Sequence, residues 1–252
     1  MNFTGKTALV TGGSRGIGKA IAQGLATRGA RVAVNYLSNA EAAEKTLAEL
    51  EGGPHLAVRG DVSDPASVRQ LFEEVVGEFG TVDIVDNNAG IYRYHRIDEV
   101  DFETWQSSWR EVLETNVVGP ANVCFHAAKH MMERGGGRIV NVSSRGAFRG
   151  EPEGPAYGAS KAGLNAMSQS LAQRLAPHHV FVGVVAPGFV DTEMAARILD
   201  TPQGDAVRAQ SPLGRVAKPE EVAYAVLFLA SEGSEFSTGT IIDVNGASYL
   251  RS

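Results

Sequence analysis

Length, composition and charge already exclude several classes of protein. The chain has 252 residues, of which 23 are Lys or Arg and 29 are Asp or Glu, so its formal net charge is −6. This acidic balance argues against nucleic-acid binding, which needs a basic surface. The 29 glycines exceed the usual share of about 7% but follow no Gly-X-Y period, which excludes a collagen-like chain.

Cysteine content and hydropathy indicate the compartment. Cys124 is the single cysteine, so the chain cannot form an internal disulfide or a thiolate zinc cluster. We find no secretory signal pattern at the start and no apolar run long enough to span a bilayer. The histidines show no metal-ligand spacing. We therefore expect a cytoplasmic protein with no metal site, no membrane partner and no nucleic-acid partner.

Short apolar runs alternate with segments of helical periodicity along the whole chain. The predicted strands are Thr7–Val10, Arg31–Asn35, Leu56–Val58, Val82–Val85, Arg138–Val142, Phe181–Val185 and Thr240–Val244. The predicted helices are Lys19–Arg28, Glu41–Leu50, Pro65–Phe79, a long helix within Trp105–Arg134, Ala156–Ala176 and Pro219–Ala230. This alternation predicts an α/β, doubly wound parallel sheet of about seven strands with helices on both faces. No linker or repeat divides residues 1–252, so we expect a single domain.

A glycine-rich turn joins the first predicted strand to the first helix. The residues expected to contact a cofactor there are Gly12, Ser14, Arg15, Gly16, Ile17 and Gly18. Small residues let the backbone approach a dinucleotide pyrophosphate, and the helix N-terminus supplies positive potential. The spacing is not the usual Gly-x-Gly-x-x-Gly, and glycine turns join many strands to helices. Its position at the first strand–helix junction nevertheless favours a Rossmann-type, NAD(P)-binding domain.

The end of the second predicted strand favours NADP(H) over NAD(H). An acidic residue there would bind the ribose hydroxyls of NAD. Asn35, Tyr36 and Ser38 occupy these positions instead, and the first acid after them is Glu41. Arg15 could pair with the 2′-phosphate of NADP, the alternative being a solvated loop arginine.

Two further strand ends carry candidate cofactor contacts. Asp61, followed by Val62, could accept a hydrogen bond from the adenine amino group or, equally well, cap the next turn. Asn88, Ala89 and Gly90 follow the fourth strand, where small and amide residues suit backbone contact with a ribose. A simple turn is the alternative there.

Tyr157 and Lys161 lie four residues apart on one face of a predicted helix. A tyrosine pKa near 10 makes a poor base, but a nearby ammonium favours the phenolate and lowers that pKa. Such a pair could exchange a proton with a carbonyl or alcohol oxygen held by Ser143 or Ser144. The pair alone is common on helix surfaces, so its weight comes from its joint occurrence with the glycine turn.

With these motifs the sequence resembles the short-chain dehydrogenase/reductase (SDR) family over nearly the whole chain. Within that family it is most similar to 3-oxoacyl-(acyl-carrier-protein) reductase-type NADPH ketoreductases. The resemblance is carried by Thr11–Gly18, Asp61, Asn87–Gly90, Asn116, Ser144, Tyr157, Lys161 and Pro187-Gly188. Ser144 matches the family spacing to Tyr157, which favours it over Ser143.

The resemblance implies hydride transfer between NADP(H) and a carbonyl or secondary alcohol. Tyr157 would be the general acid in reduction, and Ser144 would polarise the carbonyl. Lys161 would lower the tyrosine pKa and, with Tyr157, contact the nicotinamide ribose. Asn116 would hold a water that links Lys161 to solvent; a helix cap or kink is the alternative. The residues expected to cover the nicotinamide carboxamide are Pro187, Gly188, Val190 and Thr192.

The resemblance also implies a homotetramer, formed through Trp109–Met132 and Ile241–Tyr249. An acyl carrier protein is acidic, and Arg134, His178 and His179 supply few basic residues for it, so this partner is weakly supported. Another small ketone, sugar, steroid or polyketide-like substrate is the alternative. A non-catalytic NADP(H)-binding regulator on the same fold is the other class of hypothesis.

Two features depart from the family pattern. Asp86 replaces an apolar residue at a strand end, where burial without a partner would raise its pKa and cost stability. An unseen cationic or hydrogen-bonding partner is the alternative. Ile91–Trp109 is longer than usual and should frame the substrate pocket with Arg145–Glu151 and Val190–Ser211. The last segment is expected to be a mobile lid.

Overall fold

A computed structural model describes residues 1–251, and its centre is a parallel sheet. The strands are β1 (Thr7–Val10), β2 (Arg31–Tyr36), β3 (Leu56–Arg59), β4 (Ile84–Asn87), β5 (Gly137–Val142), β6 (Val180–Pro187) and β7 (Ile241–Val244). Their order, β3-β2-β1-β4-β5-β6-β7, with every pair parallel, confirms the doubly wound prediction. The strand order reverses between β1 and β4, which opens a crevice at the carboxyl edge of the sheet.

Helices cover both faces of this sheet. They are α1 (Gly16–Ala26), α2 (Ala40–Ala48), α3 (Pro65–Phe79), α4 (Phe102–Leu113), α5 (Gly119–Glu133), α6 (Gly146–Arg149), α7 (Pro155–Leu175), α8 (Glu193–Leu199), α9 (Gly204–Arg208) and α10 (Pro219–Ala230). One core layer packs α1 and α10 against the sheet, and a second packs α3, α5 and α7 against the opposite face. Because the strands are buried on both faces, they are continuously apolar in sequence rather than alternating.

The long helix predicted within Trp105–Arg134 is wrong in one respect. A π-helical turn, Glu114–Val118, separates α4 from α5. The side chain of Asn116, in this turn, bonds to the backbone N–H and C=O of Ile91. Such turns occur frequently at functional sites because the extra residue per turn redirects a side chain.

Other differences concern the ends of elements and short helices. The first helix begins at Gly16 rather than Lys19, so part of the glycine turn is already helical. The helices α6, α8 and α9 were not predicted, because each spans at most two turns and shows too little periodicity. Within the described residues, no helix combines the length and apolar character needed to cross a membrane. Nor do those residues contain a His, Cys, Asp or Glu cluster suited to a metal ion.

Candidate active site

The glycine turn between β1 and α1 is held in place by side chains from neighbouring strand ends. The Asn88 amide donates to the carbonyls of Thr11 and Gly12 at 3.0 and 3.1 Å. The Thr11 hydroxyl accepts from the backbone N–H groups of Asn88 and Ala89, both at 3.1 Å. These bonds fix the turn against the end of β4, so the two predicted cofactor segments form one unit.

The backbone of this turn leaves room for a dinucleotide. A Cβ on Gly18 would collide with the carbonyl of Gly12 and lie 2.5 Å from the Asn88 amide nitrogen. Gly12 and Gly16 have positive φ angles of 61° and 54°, which favour glycine. The first turn of α1 contains no acidic residue, and its N-cap makes no side-chain bond, so its N–H groups are available to an anion. These features fit a pyrophosphate.

The predicted cofactor contacts at the end of β2 differ from one another in their burial. Asn35 is buried and holds the turn, accepting from Gly12 N–H and donating to the carbonyls of Val58 and Gly60. Asn35 thus supports the loop expected to bind cofactor, and its own contact with cofactor stays a prediction. Tyr36 is half-buried and Ser38 is exposed at the same strand end.

The Asp61 carboxylate caps the turn after β3, one of the two alternatives. Its Oδ1 accepts from the N–H and hydroxyl of Ser63 at 2.9 and 2.6 Å. Val62 is buried against Gly119, at the start of α5. A contact between Asp61 and an adenine amino group stays a prediction.

The Ser144, Tyr157 and Lys161 side chains are brought together beside the ends of β4 and β5. Lys161, only 4% exposed, donates from Nζ to the carbonyl of Val142 at 2.9 Å. Its Nζ also lies 5.7 Å from the centre of the Tyr157 ring. The Ser143 hydroxyl donates to the Lys161 backbone carbonyl, which leaves Ser144 as the serine that can face a substrate.

Burial changes the pKa values of both Tyr157 and Lys161. It raises the pKa of Tyr157 to about 12; the Ser144 hydroxyl, by hydrogen bonding, lowers that pKa and the charge of Glu151 raises it. Burial also lowers the pKa of Lys161 to about 8. Desolvation is the largest of these effects, and the expected lowering of the tyrosine pKa by Lys161 stays a prediction. Tyr157 is a protonated phenol at neutral pH, which is the form a general acid needs.

Asn116 and Lys161 meet at Gly90. A Cβ on Gly90 would lie 3.3 Å from Asn116 Oδ1 and 3.4 Å from Lys161 Nζ. Asn116 is fully buried, and its amide also donates to the Ser160 hydroxyl at 3.1 Å. Asn116 thus both kinks its helix and lies next to the lysine, while its water-holding role stays a prediction.

The predicted nicotinamide contacts border the same crevice. Pro187 ends β6 and accepts from Arg145 N–H, while Gly188 approaches Asn245 so closely that a Cβ would lie 3.0 Å from it. Val190 is buried and pairs with Ala217. Thr192 caps α8 and lies against Gly16, where a Cβ would be 3.4 Å from its methyl group.

Comparisons with known proteins place the chain in a family. A family model described as "Enoyl-(Acyl carrier protein) reductase" matches residues 12–247. The chain is 40% identical over 250 residues to 3-oxoacyl-[acyl-carrier-protein] reductase FabG of Escherichia coli, covering 99% of this chain and 100% of that protein. This chain belongs to the short-chain dehydrogenase/reductase family. As an SDR it is an oxidoreductase that acts on CH–OH or C=O groups with a nicotinamide cofactor.

Other SDR relatives differ in what they act on. D-threitol dehydrogenase of Mycolicibacterium smegmatis is 40% identical over 249 residues, covering 98% of this chain and 94% of that protein. A dehydrogenase/reductase from Sinorhizobium meliloti 1021 superposes with a TM-score of 0.90 at 34% identity, covering 99% and 97% of the two chains. The fold and family are thus shared between relatives whose names indicate different substrates.

Two residues of the Ile91–Trp109 segment pack against α7. His95 is fully buried. Its Nε2 accepts from the N–H of Ala156 at 3.2 Å, and its Nδ1 bonds to the Arg93 carbonyl at 2.8 Å. The Tyr92 ring lies 5.2 Å from that of Tyr157. The loop therefore contacts the first turn of α7, which carries Tyr157.

Asp86 is fully buried at the end of β4, and both its oxygens lack a hydrogen-bond partner among the described residues. It pairs in register with Val10 and Val140, so it lies on the α1 and α10 face of the sheet. Burial raises the pKa of this carboxyl well above its usual range. The alternative of a cationic partner finds no support in these contacts.

Proposed function

We propose that this SDR reduces a carbonyl compound to a secondary alcohol with NADPH, using Ser144, Tyr157 and Lys161, with Asn116 as an accessory residue. The observation that carries the proposal is the placement of three side chains: Lys161 Nζ lies 5.7 Å from the centre of the Tyr157 ring, and the Ser144 hydroxyl lies within hydrogen-bonding reach of Tyr157. A phenol that keeps its proton can donate it to an oxygen on which negative charge develops. A non-catalytic regulator would not need these residues in one place.

Each residue has a distinct part in this reduction. The turn that contains Gly12, Gly16 and Gly18 would hold NADPH, which would supply the hydride for the carbonyl carbon. Ser144 donates a hydrogen bond to the carbonyl oxygen, and Tyr157 gives that oxygen a proton as charge builds on it. The positive charge of Lys161, 5.7 Å from the tyrosine ring, favours the phenolate left behind. Asn116, next to Lys161, would position a water through which the proton is replaced.

The preference for NADP(H) rests on the end of β2. Asn35 is buried and holds the loop, and no carboxylate follows until Glu41, in α2. Arg15 is exposed beside the glycine turn, where its guanidinium pairs with Glu193 at 3.0 Å. An exposed pair of this kind is weak, so a 2′-phosphate can compete for Arg15. We expect a lower dissociation constant for NADPH than for NADH, measured by titration; tighter NADH binding would contradict the preference.

The substrate class proposed first is a 3-oxoacyl thioester or similar ketone, as the name of the Escherichia coli relative suggests. An acyl carrier protein is a weakly supported partner, because Arg134 and the neighbouring histidines provide little positive charge. Sugars, steroids and polyketide-like ketones are the alternatives. Reduction of a C=C bond is less well supported, since Ser144 and Tyr157 are arranged around an oxygen.

We propose a cytoplasmic homotetramer. The apolar side chains of Val118 and Phe125, on the helical segment assigned to subunit contact, are exposed in the single chain, and β7 is an edge strand. The cytoplasmic assignment rests on the single, buried Cys124 and the reducing compartment that it suits. Light scattering tests the assembly, and a monomer at micromolar concentration would contradict it.

The experiment that tests the function is a substrate panel. Purified protein and NADPH are mixed with one candidate substrate at a time, and the loss of NADPH absorbance is followed. The candidates are 3-oxoacyl thioesters, aliphatic ketones, ketosugars and ketosteroids. We expect turnover with at least one class. A protein that binds NADPH but turns over none of them would favour the regulator.

A further inference from the structure

One wall near the proposed reaction site carries a buried arginine that the carbonyl chemistry does not use. This wall belongs to a cleft beside the ends of β6 and β7. Its lining includes Arg145, Phe189, Ser211, Asn245 and Ser248. Arg145 directly follows Ser144, so this wall begins at the residue proposed to hold the carbonyl oxygen.

Arg145 is a buried cation without a paired anion. It is 4% exposed, and no carboxylate lies within 4.0 Å of its guanidinium among the described residues. Its cationic carbon lies 5.1 Å from the centre of the Phe189 ring. Burial lowers the pKa of Arg145 and the charge of Arg149 lowers it further, while Glu151 raises it. A charge removed from water in this way is costly unless a counter-ion completes the site.

The partners of this guanidinium are neutral. Arg145 Nη1 donates to the Ser248 hydroxyl and Nη2 to the Gln210 side-chain oxygen, each at 2.5 Å. Arg149 Nη1 approaches the same Gln210 oxygen at 3.4 Å. The guanidinium groups of Arg145 and Arg149 therefore both approach one neutral oxygen. That oxygen belongs to Gln210, an exposed residue of the Val190–Ser211 segment.

The shape of that acceptor indicates the class of anion. A carboxamide has the planar outline of a carboxylate but no charge, and guanidinium groups bind carboxylates more strongly than neutral acceptors. The Arg145 backbone N–H donates to the Pro187 carbonyl at 2.8 Å, which fixes the start of the side chain beside the reaction site.

We propose that Arg145, supported by Arg149, binds a carboxylate carried by the substrate, which replaces the Gln210 side chain there. The substrate class is then an oxo acid whose carboxylate lies several bonds from the carbonyl. This inference rests on the proposed carbonyl reduction, because the distance between the two groups is defined by Ser144. It favours the acidic counterparts of the neutral ketones and sugars over a 3-oxoacyl thioester, whose acyl carboxyl group is esterified to sulfur.

A binding experiment that needs no turnover tests the site. Hexanoate and its neutral analogue hexanamide are titrated into the protein with NADPH present, and the dissociation constants are obtained from the shift in melting temperature. We expect hexanoate to bind the wild type about tenfold more tightly than hexanamide, because its bond to arginine is charge-assisted. Arg145→Met should abolish this preference, whereas Arg145→Lys should retain part of it.

The controls make each result decisive. Arg69, an exposed arginine of α3, is replaced in Arg69→Met, which should behave as wild type. Equal affinity for hexanoate and hexanamide in the wild type would overturn the proposal, as would a hexanoate preference that survives Arg145→Met. Inorganic phosphate that binds more tightly than hexanoate and depends on Arg145 would assign the site to phosphate esters and overturn the carboxylate.

A kinetic experiment separates this inference from the proposed function. Oxo acids and their methyl esters are compared as matched substrates with wild type and Arg145→Lys. A kcat/KM that favours the acids by about tenfold supports the carboxylate site. Turnover of esters and acids at equal rates would leave carbonyl reduction intact and remove the carboxylate site. With no turnover of either, the hexanoate titration still decides whether the site exists.

Discussion

The two sides of the crevice are built differently. On one side Ser144, Tyr157, Lys161 and Asn116 form what we call the catalytic corner, in which Lys161 and Asn116 are buried and bonded to backbone groups. On the other side the substrate rim comprises Ile91–Trp109, Arg145–Glu151 and Val190–Ser211. Many of its charged side chains are exposed and form surface pairs, such as Arg15 with Glu193 at its border and Arg93 with Glu111.

This difference separates chemistry from specificity. A catalytic group held by backbone atoms keeps its geometry whichever substrate binds, which is how an active site achieves preorganisation. Exposed ion pairs contribute about 1 kcal/mol or less, so the rim can change residues without endangering the fold. The relatives, named as a 3-oxoacyl reductase and a threitol dehydrogenase, are in keeping with a shared corner and varied rims.

Apart from removal of the proton donor itself, the largest expected effect comes from breaking the corner at its hydrogen-bond donor. Ser144→Ala should lower kcat by about 10²–10³-fold, because it removes a donor to the developing oxyanion, and should leave the melting temperature nearly unchanged. The matched control is Ser143→Ala, which deletes a buried bond to the Lys161 carbonyl. That variant should lose about 1 kcal/mol of stability and keep most of its kcat. The reverse pattern would show that Ser143 is the catalytic serine.

A second substitution tests the glycine turn, where the cofactor is expected to bind beside the catalytic corner. Gly18→Ala places a methyl group against the Gly12 carbonyl and the Asn88 amide. Such overpacking costs about 1–3 kcal/mol, so NADPH affinity should fall by about tenfold or more in titrations. Gly77→Ala, in α3, is the control, because a Cβ there meets nothing within 4 Å. It should raise the free energy of unfolding by about 0.5–1 kcal/mol. Unchanged NADPH affinity in Gly18→Ala would contradict a cofactor at this turn.

A substitution of Asp86 tests a buried carboxyl group that belongs to neither the catalytic corner nor the substrate rim. Asp86→Val should raise the free energy of unfolding by about 1–3 kcal/mol, because it removes an unpartnered polar group from the core. The native carboxyl has a raised pKa and stays protonated, while the unfolded one ionises near its ordinary pKa. The contribution of Asp86 to stability should therefore fall as the pH rises above about 4, so the advantage of valine over the wild type should grow. A large loss of melting temperature in the variant would indicate a specific partner.

The smallest expected effect is the change of kcat with pH, which follows the charge of Lys161 in the catalytic corner. The pKa of Lys161 is about 8, so the lysine loses its charge as the pH rises through that value, while Tyr157, at about 12, stays protonated. With saturating NADPH, kcat for reduction should therefore fall by about fourfold between pH 7 and 8.5. A profile flat up to pH 10 would show that the lysine charge is not needed, or that the bound cofactor raises its pKa.

The corner was predictable from sequence and much of the rim was not. The glycine turn and the doubly wound parallel sheet follow from local patterns along the chain, and the Ser144–Tyr157–Lys161 set follows from the resemblance to the SDR family. The π-helical turn at Asn116 depends on bonds to Ile91, which is 25 residues away, and no local pattern indicates it. The burial of His95 between α7 and the tryptophans of α4 likewise depends on packing between segments distant in sequence.

The burial of the Arg145 charge was likewise not predictable from the sequence. In sequence it is one of several arginines in a loop, and only the packing of Phe189, Gln210 and Ser248 around it reveals a buried, unpaired cation. The lid segment also contains the helices α8 and α9, whose few buried residues, such as Ala195 and Leu199, are too sparse to form a helical pattern. Its mobility stays a prediction.

Tyr157→Phe tests the central claim most directly. The variant removes the phenolic proton and keeps the ring that packs on Tyr92. With the best substrate of the panel, single-turnover reduction by NADPH should slow by about 10²–10⁴-fold, while the dissociation constant for NADPH changes little. A variant that reduces the substrate at the wild-type rate would contradict Tyr157 as the proton donor and, with it, the proposed mechanism.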